Sequence, residues 1–200
     1  MNEIERKARL VEIVRASPTL MHVLRTVRDQ RLPDWRVFSG AVYQTVWNSL
    51  TGRDPDYGIK DYDVGYFDAD TSWDAEDVLI KRVVAAFEPP LREQVEVRNQ
   101  ARVHLWFFDR FKEPYSPLAS TDQALMRFVC PAFAVGVRLE DDDAITVAAP
   151  FGLADVFDMR LSPNPTRGIA RGWDRVTASA RERWPECRVT TQTQGRGFSL

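Results

Sequence analysis

Cysteine is scarce. Only Cys130 and Cys187 occur in 200 residues, so disulfides cannot be the main staple, and no CxxC or paired Cys/His spacing suggests structural zinc. An excess of one charge is also missing: 27 Lys+Arg against 29 Asp+Glu leave a formal net charge of −2. That argues against general duplex-DNA binding, which usually rests on a clear basic excess. No apolar run approaches the ~18 residues a membrane span needs, and the opening Met1-Asn2-Glu3-Ile4-Glu5-Arg6-Lys7 is too charged for a secretory signal. No repeat with a period of ~20–50 residues is visible, which removes solenoids and propellers. What is there is ordinary: 44% hydrophobic and 28% charged residues, close to the averages for globular chains. The composition excludes a disordered or collagen-like chain, and 23.0 kDa fits one domain of usual size. The expectation is a protein of a reducing cytoplasm that contacts no membrane.

Hydrophobic spacing at Ile4, Ala8, Val11 and Val14 predicts a first helix. Ser17-Pro18 then supplies a cap and a first-turn proline for a second, through Leu20, Val23, Leu24 and Val27. Trp35 to Phe38 is a short β-prone run bounded by Ser39-Gly40, and Ala41 to Leu50 has helical spacing. A polar, turn-rich loop leads to a strand over Lys60–Phe67, and Ser72 caps a helix from about Ala75 to Phe87. Pro89-Pro90 stops it, and a strand begins at Gln94. Arg102 to Phe108 fits neither period cleanly. A short helix near Thr121, a strand from Phe133 to Leu139, a hairpin return over Ile145–Ala148, one or two helical turns over Phe151–Phe157 and a last helix over Gly168–Arg183 complete the reading. The irregular order of strands and helices predicts an α+β (mixed α/β) domain: a mixed β-sheet flanked by helices, opened by an N-terminal helical pair.

The stretch that carries chemistry runs from Ser39 to Asp63. On a strand, Asp61 and Asp63 point to one side with Cα atoms roughly 6.5–7 Å apart. Two carboxylates so placed cannot sit together in an apolar core without a large desolvation cost, whereas a divalent cation between them keeps both ionised. Mg²⁺ takes oxygen ligands and uses one or two carboxylates, leaving positions for water and substrate phosphate. Ser39-Gly40 supplies the complement: a bare turn lets phosphate approach, and the following helix offers unpaired N–H groups and the positive end of its dipole. Glu96 lies between Val95 and Val97 and points away from their core face, as a third carboxylate for the metal or a base toward an acceptor hydroxyl. Metal-assisted phosphoryl or nucleotidyl transfer needs this pairing of cation holder and anion holder.

Ser39-Gly40 followed by Asp61-Tyr62-Asp63-Val64 resembles the signature of the nucleotidyltransferase fold (polymerase-beta-like) superfamily. More closely, Gly40–Trp47, Lys60–Asp68, Glu96–His104, Gly136–Leu139 and Ala149–Asp155 look like the blocks of a bacterial nucleotidyltransferase-like family, a likeness spanning about residues 20–185. Here Gly40 follows Ser39 and precedes Ala41, where the superfamily usually has Gly followed by Ser or Gly, and the loop around Arg53–Gly58 is longer than usual. The resemblance implies Mg²⁺ (or Mn²⁺) and a nucleoside triphosphate such as ATP as donor. Read along its length, the chain is one domain over residues 1–188, with helices at 1–31, a catalytic core at 35–150 and C-terminal helices at 151–188, followed by a Gly- and Thr-rich flexible tail at 189–200. Asp61, Asp63 and Glu96 are then the catalytic and metal residues. Ser39, Gly40, Lys60, Asn99 and Arg102 are the nucleotide-binding set. The acceptor is open, with a small molecule favoured over a macromolecule by the near-neutral charge; a non-catalytic nucleotide binder, or an enzyme modifying protein or RNA, are the alternatives.

Plainer readings stand beside these. Asp61 and Asp63 also suit an edge strand that discourages aggregation. Glu96 also suits a solvent-facing partner of Arg98 or Arg102, Gly40 an ordinary turn, and Asn99, Gln100 and Arg102 the hydrogen bonding of a turn. His22 and His104 read as structural, Trp106 and Trp184 as core, and Asp141-Asp142-Asp143 as a solvated hairpin tip. Arg160, Arg167, Arg171 and Arg175 stand as a local basic patch.

Overall fold

The computed structural model describes residues 1–190. It opens with α1 (Glu3–Ala16) and α2 (Pro18–Asp29). Asn2 and Glu5 close a reciprocal capping box on α1, and Ser17 both ends α1 and caps α2 through Leu20 N–H. β1 (Arg36–Phe38), α3 (Gly40–Thr51), β2 (Tyr62–Tyr66), α4 (Trp73–Ala85) and β3 (Val95–Asn99) follow in the expected order. The stretch that fitted neither period is α5 (Val103–Phe111), an aromatic helix in which only Val103 is buried, which explains its weak amphipathic signal. Next come α6 (Thr121–Leu125), β4 (Gly136–Leu139), β5 (Ile145–Ala148), α7 (Ala154–Phe157), β6 (Arg160–Leu161), α8 (Trp173–Arg183) and β7 (Arg188–Val189).

The main sheet has strand order β3-β2-β1-β4-β5, antiparallel throughout except for the parallel pair β2/β3. That pair is parallel because α4 returns the chain between them. A separate two-stranded parallel sheet joins β6 to β7.

Alternation divides the main sheet into two faces. Val37, Tyr62, Val64, Tyr66, Val95 and Val97 point into the main core, together with Leu20, Leu24, Val42, Val46 and Trp47 from the helices. The opposite face carries Phe38, Asp63, Gly65, Glu96 and Arg98, and is only partly covered by a smaller cluster of Phe38, Leu118, Ala124, Leu125 and Ala134. Trp47 and Trp184 meet edge to face at 5.5 Å, and their indole N–H groups donate to Val156 O and to Asn48 Oδ1. Asn48 Nδ2 in turn donates to Pro55 O and Tyr57 O, pinning the long loop ahead of β2 onto α3.

Three differences from the sequence expectations have local causes. The chain before β4 is a 3-10 turn (Pro131–Phe133) set by Pro131 at its first position, so the strand begins at Gly136 rather than Phe133. The last helix begins at Trp173, not Gly168, because residues 164–171 are tied as a loop to Glu113 and to the backbone of residues 126–129. Val189, placed in the tail by the sequence, pairs with Leu161; residues 191–200 of that tail lie outside the described residues. The acidic tip is solvent-exposed as expected, and at the surface Asp143 accepts from Arg28 at 2.8 Å and Asp141 from Arg31 at 2.7 Å.

No helix among the described residues is long and apolar enough to cross a membrane. Cys130 and Cys187 are free and buried, and burial pushes both thiols up to about 12. They are held as thiols, not as nucleophiles.

Candidate active site

β1 runs into α3 through Ser39, which takes φ +46°, a conformation rare for any residue but glycine. Its N–H donates to Val135 O at 2.8 Å, which fixes the bend, and its carbonyl accepts from Val42 and Tyr43. The Ser39 hydroxyl makes no capping bond, so Gly40 and Ala41 keep their N–H groups for an outside acceptor. The first turn of α3 lies beside Asp61: a Cβ built on Gly40 would be in ordinary contact with Asp61 Oδ1 at 3.8 Å and closer to Gln44 Nε2 at 3.3 Å.

Asp61 immediately precedes β2 and is exposed at the sheet rim; Asp63 lies within the strand, half-buried, on the open face. Glu96 is the residue directly opposite Asp63 on the parallel strand β3. Two of the three carboxyls, Asp61 and Asp63, are held above their ordinary value. Burial, then the charges of Asp61 and Glu96, push Asp63 up to about 7 against the opposing pull of Arg98. Asp61 is raised by desolvation and by Glu96, with Arg183 and Lys60 pulling the other way. Arg98 approaches Glu96 at 3.6 Å. This contact fits the plain reading of Glu96 as a solvent-facing partner of Arg98.

Among the described residues, no three Asp, Glu, His or Cys side chains close into a cluster able to hold one metal ion. The three-carboxylate cage expected from the sequence is not formed. The donor set nevertheless fits a hard cation: it is all oxygen and mutually repelling, and such a cation needs only one or two protein carboxylates when phosphate and water complete its shell.

The open face forms the floor of a cavity of about 760 Å³. Phe38, Asp63, Gly65, Glu96 and Arg98 line its floor, Trp106 and Phe107 of α5 form one side, and Arg110, Arg127, Arg167, Arg171 and Arg175 line its walls and mouth. The volume lies within the range of small-ligand sites. Trp106, expected in the core, lines this cavity, whereas Trp184 is fully buried as expected. A second, smaller hollow beside Tyr43 is lined by Arg175, Ser179 and Arg183.

The other predicted binding residues divide. Lys60 is exposed next to Asp61 and contributes to its field. Asn99 is buried and spent: its side-chain oxygen accepts from Asp68 and Ala101 N–H, and its amide donates to Asp68 O and Asp70 O. Arg102 pairs with the buried Glu76 and lies over the Trp73 ring, on the α4 side of β3. Neither lines the cavity. Of the basic patch, Arg167, Arg171 and Arg175 reach the cavity while Arg160 pairs with Asp155. Arg110, Arg127 and Arg183 were not singled out from the sequence. Scattered through loops and helix ends, they carry no local pattern, and only the fold gathers them.

A family model described as "Nucleotidyltransferase" matches residues 25–189. Among solved structures, one described as "The NMR structure of the protein reveals a CCA-adding enzyme head domain" is similar to this chain. The two are 26% identical, the match covers 92% of this chain and 95% of that one, and the TM-score is 0.74. No curated protein matches.

Proposed function

This chain belongs to the nucleotidyltransferase family whose model it matches, and from that membership we propose that it moves a nucleoside monophosphate from a nucleoside triphosphate to an acceptor, releasing pyrophosphate. The observation that carries the reading is the register of Asp63 with Glu96, with Asp61 two residues before, beside the bare first turn of α3 and at the floor of a cavity.

The first turn of α3, from Ser39 to Gly40, receives phosphate oxygens on its N–H groups. Lys60 and Arg183, the cations already acting on Asp61, balance the negative charge gathered there. A divalent cation, Mg²⁺ or Mn²⁺, held by Asp61 and Asp63 supplies charge neutralisation and polarisation at the α-phosphate when bound. Glu96 faces the same floor from β3 and takes the proton of the acceptor hydroxyl at its exposed carboxylate. The acceptor oxygen forms a bond to the α-phosphorus as the bond to pyrophosphate breaks, and positioning with charge complementarity carries the rate. The similar CCA-adding head domain makes RNA an acceptor class to test beside small molecules.

The test is transfer of label from each α-labelled triphosphate, with Mg²⁺ or Mn²⁺, into the small-molecule and macromolecular fractions of a cell extract. The Asp61→Ala/Asp63→Ala variant should lose label transfer and pyrophosphate release by at least about a hundredfold. Equal turnover by both proteins would remove the reading. The open arrangement of the carboxylates favours a second reading, a nucleotide binder without transfer. A thermal shift with nucleotide and no pyrophosphate release would identify it.

A further inference from the structure

Six arginines line the cavity against three carboxylates, Asp63, Glu96 and Glu113. Arg110, Arg127 and Arg171 line it from three separate segments, and none has a carboxylate partner among the described residues. None of the three lines the smaller hollow where Arg183 stands beside Tyr43, which adjoins the cavity at Arg175 and Val176. The backbone around Arg127 and Arg171 is held in place. Glu113 pairs with Arg167 and accepts from Arg171 N–H, and Arg167 donates to Arg127 O. Asn164 donates to Met126 O and Phe128 O, fastening the same loop to the turn that carries Arg127. Arginines left unpaired on a fastened backbone are suited to bidentate recognition of phosphate.

We infer that the acceptor carries a phosphate group of its own, held by Arg110, Arg127 and Arg171 across the cavity from the carboxylates, with its apolar part against Trp106 and Phe107. This rests on the transferase reading and adds the class of acceptor. The donor's triphosphate and the acceptor's phosphate occupy separate places, one at the start of α3 and one at the arginine wall, so that the acceptor hydroxyl falls between them near Glu96.

The experiment is calorimetry on the full chain saturated with Mg²⁺ and a triphosphate whose α,β-bridging oxygen is replaced by methylene, with inorganic phosphate as titrant. Phosphate is expected to bind the saturated protein. Arg127→Gln and Arg171→Gln should each weaken that binding at least tenfold while changing affinity for the nucleotide analogue less than twofold. The inference is overturned if the analogue excludes phosphate, if phosphate does not bind, or if the variants weaken the analogue instead. Failure of the analogue itself to bind takes down the transferase reading and this one with it. A sugar phosphate and a short single-stranded oligoribonucleotide, titrated in the same way, separate a small phosphorylated acceptor from an RNA. Tighter binding of the sugar phosphate than of inorganic phosphate supports the first source, and a steep fall of oligonucleotide affinity with salt supports the second.

Discussion

The ring of Phe38 fills the space that a side chain at residue 65 would need: a Cβ built on Gly65 would stand 2.1 Å from Phe38 Cε2. Both residues belong to the cavity floor, so this glycine on β2 sets the position of an aromatic residue on β1. Gly65→Ala must move the ring or the strands. A loss of about 1–3 kcal/mol is expected in urea unfolding, with weaker nucleotide binding from the displaced floor. Unchanged stability would show that the ring has another place to go.

Asp63 links pH to stability. Its carboxyl is raised to about 7 in the folded chain, against an ordinary value near 3.8, so between those values the folded state binds more protons than the unfolded state. The stabilisation is fully present below about 4 and is lost as pH rises through about 7. With a chelator present, wild type should therefore be less stable at pH 8 than at pH 5, by an amount on the order of 1–4 kcal/mol from this group. Asp63→Asn should flatten that slope. An equal slope in both proteins, measured by urea melts at the two pH values, would contradict the account.

Arg102 serves the fold. It is paired with Glu76, which also accepts from Asn99 N–H at 2.9 Å, and both side chains are largely buried. Glu76→Ala leaves an unpaired guanidinium and an unpaired N–H, an expected cost of about 3–5 kcal/mol. Arg102→Ala should likewise lower the melting temperature while leaving nucleotide affinity within about twofold. Loss of affinity without loss of stability would return Arg102 to the site.

Asn48 is fully buried and makes three side-chain hydrogen bonds, to Pro55 O, Tyr57 O and Trp184 Nε1. Asn48→Ala strands two carbonyls and an indole N–H, each worth roughly 1 kcal/mol or more when left unpaired, so about 3 kcal/mol is expected. The loop it pins leads directly to Lys60 and Asp61, so transfer activity should fall together with stability.

Ser39 sits at φ +46° without a side-chain capping bond. Ser39→Gly relieves that backbone and should stabilise the chain by about 1 kcal/mol. If the hydroxyl contacts phosphate, the same variant weakens nucleotide binding, and the two readouts move in opposite directions.

Most of the architecture was legible because its signals are local. Ser17-Pro18 and Ser72 write their own helix starts, and alternation at Tyr62-Asp63-Val64 and Val95-Glu96-Val97 assigns core and open faces before any partner is known. The same alternation placed Asp63 and Glu96 on one side of the sheet, and the Ser39-Gly40 bend fell where a helix begins. Asn99 and Arg102 were ambiguous because a polar residue after a strand looks the same whether it meets ligand or closes a turn. Their fate depended on Glu76, Asp68 and Asp70, more than 20 residues away.

The chain by itself determined most of the elements, the two faces of the sheet and the face on which Asp63 and Glu96 lie, since each follows from spacing along a few neighbouring residues. Only tertiary packing decided that β2 and β3 lie side by side in register, that three carboxylates stay open rather than closing into a cage, and that arginines from distant segments gather around one cavity. Those outcomes depend on loop closure and on charges brought together through space, which no local pattern records.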